Sequence, residues 1–118
     1  MIDIRRAYEK SDGGYRILVD RLWPRGVSRD KLAADEWVRE VAPSDKLRRW
    51  FSHDPAKWDE FKKRYGKELQ SQEMRKKLKD IKLLERKKKR LVLLFGAKDK
   101  VHNQAVVLKQ ALDSMKLQ

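Results

Sequence analysis

Asp20, Arg21, Trp23 and Arg25 fall within one short run, and Lys98, Asp99, His102 and Asn103 within another. Arginine presents a planar fork of donors that grips a phosphate or a carboxylate at two points. The second run opens a helix, whose start offers free backbone N–H groups and the positive end of a dipole. Both runs follow apolar segments that read as strands. In open parallel sheets, ligands bind beyond the carboxyl ends of strands. The expected chemistry is therefore anion binding at a sheet edge, for a phosphate-bearing small molecule or a nucleotide. Arg21, Trp23, Arg25, Lys98 and Asn103 are the candidate ligand-binding residues. His102 in a first helical turn would be biased toward its neutral form, which suits a base or a hydrogen-bond donor. Asp20 would hold Arg21 or act as the base, so Asp20 and His102 are the candidate catalytic residues, with no nucleophile–base pair named by spacing. Structural alternatives stand beside each role: an Asp20–Arg21 ion pair, Trp23 as core or hinge packing, His102 and Asn103 as hydrogen-bonders at a helix end.

A third cluster, Trp50-Phe51-Ser52-His53-Asp54-Pro55, reads either as a corner between helices or as the source of a further ligand-binding residue, His53. His53 and His102 with Asp20 or Asp99 would make a metal set only by folding, since no HxH or HExxH spacing occurs, and no metal is expected. The chain has no cysteine, which removes disulfides, thiolate nucleophiles and cysteine zinc sites. Glycines 13, 14, 26, 66 and 96 form neither a GxGxxG nor a P-loop pattern, and no cofactor is indicated.

Charge suggests a second function. Lys and Arg number 31 against 18 Asp and Glu, a net charge of +13. Residues 1–44 are nearly balanced, with 9 basic and 8 acidic residues, whereas residues 62–90 hold 14 basic and 4 acidic. Such a stripe attracts polyanions through counterion release. Lys62, Lys63, Arg64, Lys67, Arg75, Lys76, Lys79, Lys87, Lys88 and Lys89 are its candidate nucleic-acid contacts. A solvated helix face is the plain alternative, and a non-catalytic structural or regulatory partner protein is a third reading. No apolar run approaches the ~18 residues needed to span a bilayer. The opening MIDIRRAYEK is too polar for a signal peptide, so a cytoplasmic protein is expected, without membrane association. The sequence assigns no oligomeric state.

The positioning elements follow from pattern. Ile2, Ile4 and Ala7 suggest an opening strand, Ser11-Asp12-Gly13-Gly14 a turn, and residues 15–22 a central strand. The short connection favours a hairpin between these strands. Ser28 and Ser44 are N-cap candidates, the second for a brief helix ending near Trp50-Phe51, and residues 35–43 fit a strand or an irregular stretch. Asp54-Pro55 places an acceptor at a cap and proline at the first helical position. Trp58, Phe61, Tyr65 and Leu69 then form one buried stripe, continued by Met74, Leu78, Ile81 and Leu84 after a break at Gly66 or at Gln70-Ser71. Residues 86–90 read as a basic loop, and 91–97 as a strand buried on both faces. Asp99 is the expected cap of a last helix with Val101, Ala105, Leu108, Leu112 and Met115 inward. The order predicts one domain over residues 1–118: a small, largely parallel α/β sheet flanked by helices, three-layered and Rossmann-like, with an N-terminal hairpin.

VDRLWPRGVS (19–28), APSDKLRRWFSHDPAKWDEFKKRYGKEL (42–69) and LLFGAKDKVHNQAVVLKQAL (93–112) together resemble the YeaO-like members of the domain of unknown function 488 family. The resemblance covers nearly the whole chain, in order and spacing. It implies a compact α/β domain with helices beside the sheet, and carries over no settled activity. Its signature residues here are Asp20, Arg21, Trp23, Pro24, Arg25, Trp50, Phe51, His53, Asp54, Lys98, His102 and Asn103. More distant relatives often carry cysteines around the segment matching 95–103, and this chain has none there.

Overall fold

A computed structural model describes residues 1–117. It contains strands β1 (Ile2–Arg6), β2 (Tyr15–Leu18), β3 (Glu36–Trp37) and β4 (Leu91–Phe95). The helices are α1 (Arg29–Leu32), α2 (Asp45–Phe51), α3 (Trp58–Glu68), α4 (Gln72–Lys88) and α5 (Gln104–Ser114), with 3-10 turns at Arg39–Val41 and Pro55–Lys57. The four strands form one sheet in the order β1-β4-β2-β3, and every pairing is parallel. The fold is the expected α/β class.

β4 (LVLLF) is central because it has no polar side chain to give either face to water, and all five of its residues are buried. One face of the sheet, with Ile17, Val19, Leu91, Leu93 and Phe95, packs on Phe51, Phe61, Tyr65, Leu78, Ile81, Leu108 and Leu112 from α2 to α5. The other, with Ala7, Leu18, Val92 and Leu94, is covered by Leu32 of α1 and by Trp23 and Trp37. The helical cover is therefore thick on one side and a single turn plus loops on the other. Phe51 stacks on Phe61 with centroids 4.2 Å apart, Phe61 meets Tyr65 at a tilt with centroids 5.7 Å apart, and the Tyr65 hydroxyl donates to the Val41 carbonyl.

The expected hairpin does not form. β1 and β2 are not neighbours: β4 lies between them, and both run parallel to it. The Ala7–Gly14 return has to cover about 17 Å along the strands and roughly 10 Å across them. An extended stretch of that length reaches about 26 Å, so no helix is needed. Asp12 ties the return down: Arg5 reaches its carboxylate at 2.6 Å and Arg90 at 3.1 Å, while Arg90 also meets Asp3 at 2.8 Å.

Ser28 and Ser44 accept from the N–H groups of Lys31 and Leu47, as N-caps should. Glu68 fastens the second cap by accepting from both the N–H and the hydroxyl of Ser44. Asp54 accepts from Ala56 ahead of the Pro55 turn that leads into α3. The break between the long helices falls at Leu69–Ser71, where Ser71 caps α4. Three expectations change. β2 ends at Leu18 and not at residue 22. Residues 86–88 are the last turn of α4 and not a loop, since Lys and Arg are good helix formers and cations suit a helix C-terminus. Asn103, not Asp99, caps α5, and Val101 lies outside that helix at 63% exposure. No helix among the described residues is long and apolar enough to cross a membrane.

Gly14 sits at φ +78°, and a Cβ there would lie 2.9 Å from Cγ2 of Val92 in the central strand. Gly14→Ala is expected to lower stability by more than about 1 kcal/mol, because strained backbone and core contact add. Urea unfolding at neutral pH measures it, and an unchanged midpoint would contradict this packing.

Candidate functional site

β2 and β4 are parallel neighbours, with Leu18 opposite Leu94, so the chain leaves both strands at the same edge. Asp20 bridges the two exits. Its Oδ2 accepts from the Gly96 N–H at 2.8 Å, and its Oδ1 from the side-chain amide of Gln104 in the first turn of α5. The Asp20 carbonyl accepts from the Trp37 indole at 2.7 Å. This close approach explains Gly96: a Cβ there would lie 2.9 Å from Asp20 Oδ2. Burial pushes the Asp20 carboxyl up to about 6, against the opposing pull of the Gly96 and Gln104 hydrogen bonds.

Beyond Asp20 opens a cavity of about 450 Å³. Trp23, Pro24, Phe51 and Phe61 give it apolar walls. Trp23 is fixed by a hydrogen bond from its indole to the Val27 carbonyl, 2.6 Å, and by an edge contact with Trp37. Arg25, Arg48, Arg49 and His53 supply its cationic and polar lining. Asp45 holds Arg48 and Arg49 from below, at 2.6 and 2.9 Å. Arg48 Nε is buried without a partner, and Arg25 makes no ion pair among the described residues. Tyr8 closes one side, its hydroxyl donating to the Arg25 carbonyl at 2.7 Å. Ser52 and His53 end α2 in consecutive left-handed conformations, φ 45° and 58°. Non-glycine residues adopt that region at a cost of roughly 1–2 kcal/mol each, and such strain collects at functional edges.

The two sequence runs do not converge completely. Asp20, Trp23, Arg25 and His53 line the cavity; Arg21, Lys98, His102 and Asn103 do not. Arg21 donates to the carbonyls of Pro43 and Ala42 at 3.0 and 3.4 Å, fastening the approach to α2, and forms no ion pair with Asp20. Asn103 is buried and fully engaged, accepting from the Val106 N–H and donating to the Asp99 carbonyl. His102 precedes the first turn of α5, so the helix-dipole argument does not apply to it. Its Nδ1 lies 2.8 Å from Asp99 Oδ2, and its ring meets Trp58 edge-on, on the far side of the aromatic packing that backs the cavity. The His102 backbone and side chain, followed by the Val101 N–H, hold the Asp99 carboxyl down at about 2. Lys98 is exposed on the loop. Among the described residues, no group of three or more His, Cys, Asp or Glu could hold a metal ion.

Arg48, Arg49, Tyr8 and Gln104 were not legible as site residues. Arg48 and Arg49 lie in the brief helix expected before Trp50-Phe51, and nothing in spacing distinguishes them or Gln104 from their neighbours. The basic segment divides in two. On α3, Lys62 pairs with Asp59, and Arg64 pairs with Glu60 and lies over the Trp50 ring, while Lys63 and Lys67 are exposed. On α4 and just beyond it, Arg75, Lys76, Lys79, Lys87, Lys88 and Lys89 are all exposed.

Comparison with known proteins places the whole chain beside a family. The model described as "Inactive DUF488-N3 subclade" matches residues 1–118. "Uncharacterized protein YeaO" of Escherichia coli (strain K12) is 44% identical over 118 residues, covering 97% of this chain and 98% of that one. "Uncharacterized protein Rv3073c" of Mycobacterium tuberculosis (strain ATCC 25618 / H37Rv) is 44% identical over 70 residues, 58% of this chain and 59% of that one. No solved structure matches.

The Asp20 geometry has a pH signature. An aspartate raised from 3.8 to about 6 favours the folded state most when protonated. Its contribution is complete below the unfolded value and is lost as pH rises through the folded one. Relative to Asp20→Asn, the wild-type protein is expected to lose up to roughly 3 kcal/mol between about pH 4 and pH 6. Denaturant unfolding of both across that window checks it; parallel curves would contradict a buried Asp20 carboxyl.

Proposed function

The chain belongs to the inactive DUF488-N3 subclade, and on that premise we propose that it binds a phosphate-bearing small molecule, such as a nucleotide, at its sheet edge without converting it. The carrying observation is that Arg25, Arg48, Arg49 and His53 line one cavity beyond the carboxyl ends of β2 and β4. Arginine forks suit phosphate oxygens, and Arg25, which forms no ion pair among the described residues, has its guanidinium available. Trp23, Pro24, Phe51 and Phe61 provide the apolar surface that an uncharged part of the ligand, such as a base, would cover.

The absence of conversion rests on the same geometry. Both oxygens of Asp20 are taken, by Gly96 and Gln104, and His102 does not line the cavity. Among the described residues lining the cavity no nucleophile is hydrogen-bonded to a base, the pairing that covalent catalysis uses. Asp20 then acts as a brace holding the two strand exits together, and the arginines do the binding.

Isothermal titration at low salt with inorganic phosphate, sulfate and mononucleotides tests this reading. Saturable binding is expected, tighter for a nucleotide than for phosphate alone. Arg25→Ala and Arg49→Ala should each weaken it by about tenfold or more, since hydrogen bonds to charged groups contribute roughly 1.5–3 kcal/mol. Arg21→Ala, outside the cavity, should leave affinity in place. Absence of saturable binding, or full affinity in the Arg25→Ala/Arg49→Ala double variant, would overturn it.

A further inference from the structure

α4 carries a second cationic feature, unconnected with the cavity. Arg75, Lys79, Lys82 and Arg86 recur at intervals of four, three and four residues, which places them on one flank of the helix, and Lys89 follows at its C-cap. The stripe is about 21 Å long at 1.5 Å rise per residue. Glu73 and Asp80 of α4 fall on a different flank, and Leu78 and Ile81 turn the apolar side into the core. Lys82 is paired with Glu85 at 3.0 Å; Arg75, Lys79, Arg86 and Lys89 form no ion pair among the described residues. Beside this flank runs the Met115–Leu117 segment, and shallow grooves between the two are lined by all five cations and Lys116. α4 therefore presents a straight rod of positive charge with little to neutralise it.

We infer that this flank of α4, with Lys116 across the groove, is a sequence-independent docking surface for the phosphodiester backbone of duplex nucleic acid. Charge complementarity supplies the attraction. One strand of a duplex advances ~3.4 Å per phosphate along the axis while winding round it, so a straight stripe faces only part of the roughly six phosphates in its own length. A rigid rod suits a rigid partner. Single strands are held on aromatic stacking platforms, and α4 has no aromatic residue. An interfacial membrane helix lays its apolar face on the lipid, whereas the apolar face of α4 is buried in the core. No base-reading element lies in the stripe, so sequence discrimination is not expected.

Fluorescence anisotropy of the full chain with labelled mixed-sequence duplexes, across a salt series, tests the inference. The logarithm of affinity should fall linearly with the logarithm of salt, with a slope of about −4 for four to five neutralised phosphates. Replacing Arg75, Lys79, Arg86 and Lys89 together by Gln should remove most of that slope and weaken low-salt binding by more than about tenfold. All four side chains are exposed, and the charge-preserving Arg75→Lys/Arg86→Lys variant, which should keep the slope, separates lost charge from lost fold. Lys63→Gln/Lys67→Gln on α3 should change little. The inference is overturned by no binding at low salt, by equal losses in the α3 and α4 variants, or by tighter binding of single strands or polyglutamate than of duplex.

Discussion

β4 is buried from end to end and has no polar side chain, so all its hydrogen-bonding capacity lies in its backbone. A buried backbone group left unpaired costs about as much as a lost hydrogen bond, so β4 must be flanked on both sides. β1 satisfies one edge over its whole length and β2 the other from Leu91 to Leu94. β2 stops first, and the side chain of Asp20 takes over its task by accepting the Gly96 N–H. The rim of the molecule begins where main-chain pairing is replaced by a carboxylate. That replacement requires a glycine at 96, brings α5 alongside through Gln104, and leaves a cavity beyond it.

Around that rim, charge is organised by use. Arg21 is spent on the carbonyls of Ala42 and Pro43 and orders the approach to α2, whose last turn delivers Arg48 and Arg49. Asp45 neutralises those two guanidiniums only in part, as one carboxylate between two cations. The rim is thereby cationic but held in place. The flank of α4 differs: Arg75, Lys79, Arg86 and Lys89 are exposed and form no ion pair among the described residues, and only Lys82 between them is paired. Net charge alone does not distinguish these two arrangements; the partners of each guanidinium and ammonium do.

Much of the fold could be read from local chemistry. Ser28, Ser44 and Asp54 announce helix starts because a short oxygen-bearing side chain can meet the free N–H groups there. LVLLF announces a central strand because nothing else can bury it on both faces. The hairpin was misread because a short connection limits reach, and not which strand later slips between its two ends. Asp99 looked like the cap of α5, but Asn103, four residues on, makes that bond while Asp99 turns the chain toward it. Around the cavity, the strand-end and corner positions of Asp20, Trp23, Arg25 and His53 place them near its wall, while the roles assigned to them remain proposals. Arg48, Arg49 and Gln104 were not legible in this way, because a helix presents polar residues on several flanks and only packing selects the one that meets the cavity.

The account rests on one rim, built on Asp20 and Gly96, which we propose receives an anion between Arg25 and the end of α2. Backbone amide resonances of isotopically labelled protein, followed as inorganic phosphate is added, measure this most directly. The amides of Arg25, Ser52, His53 and Gly96 should shift together along one saturation curve, while those of Arg75, Lys79 and Arg86 stay nearly still. Shifts confined to α4, or spread over the surface without saturation, would contradict the site.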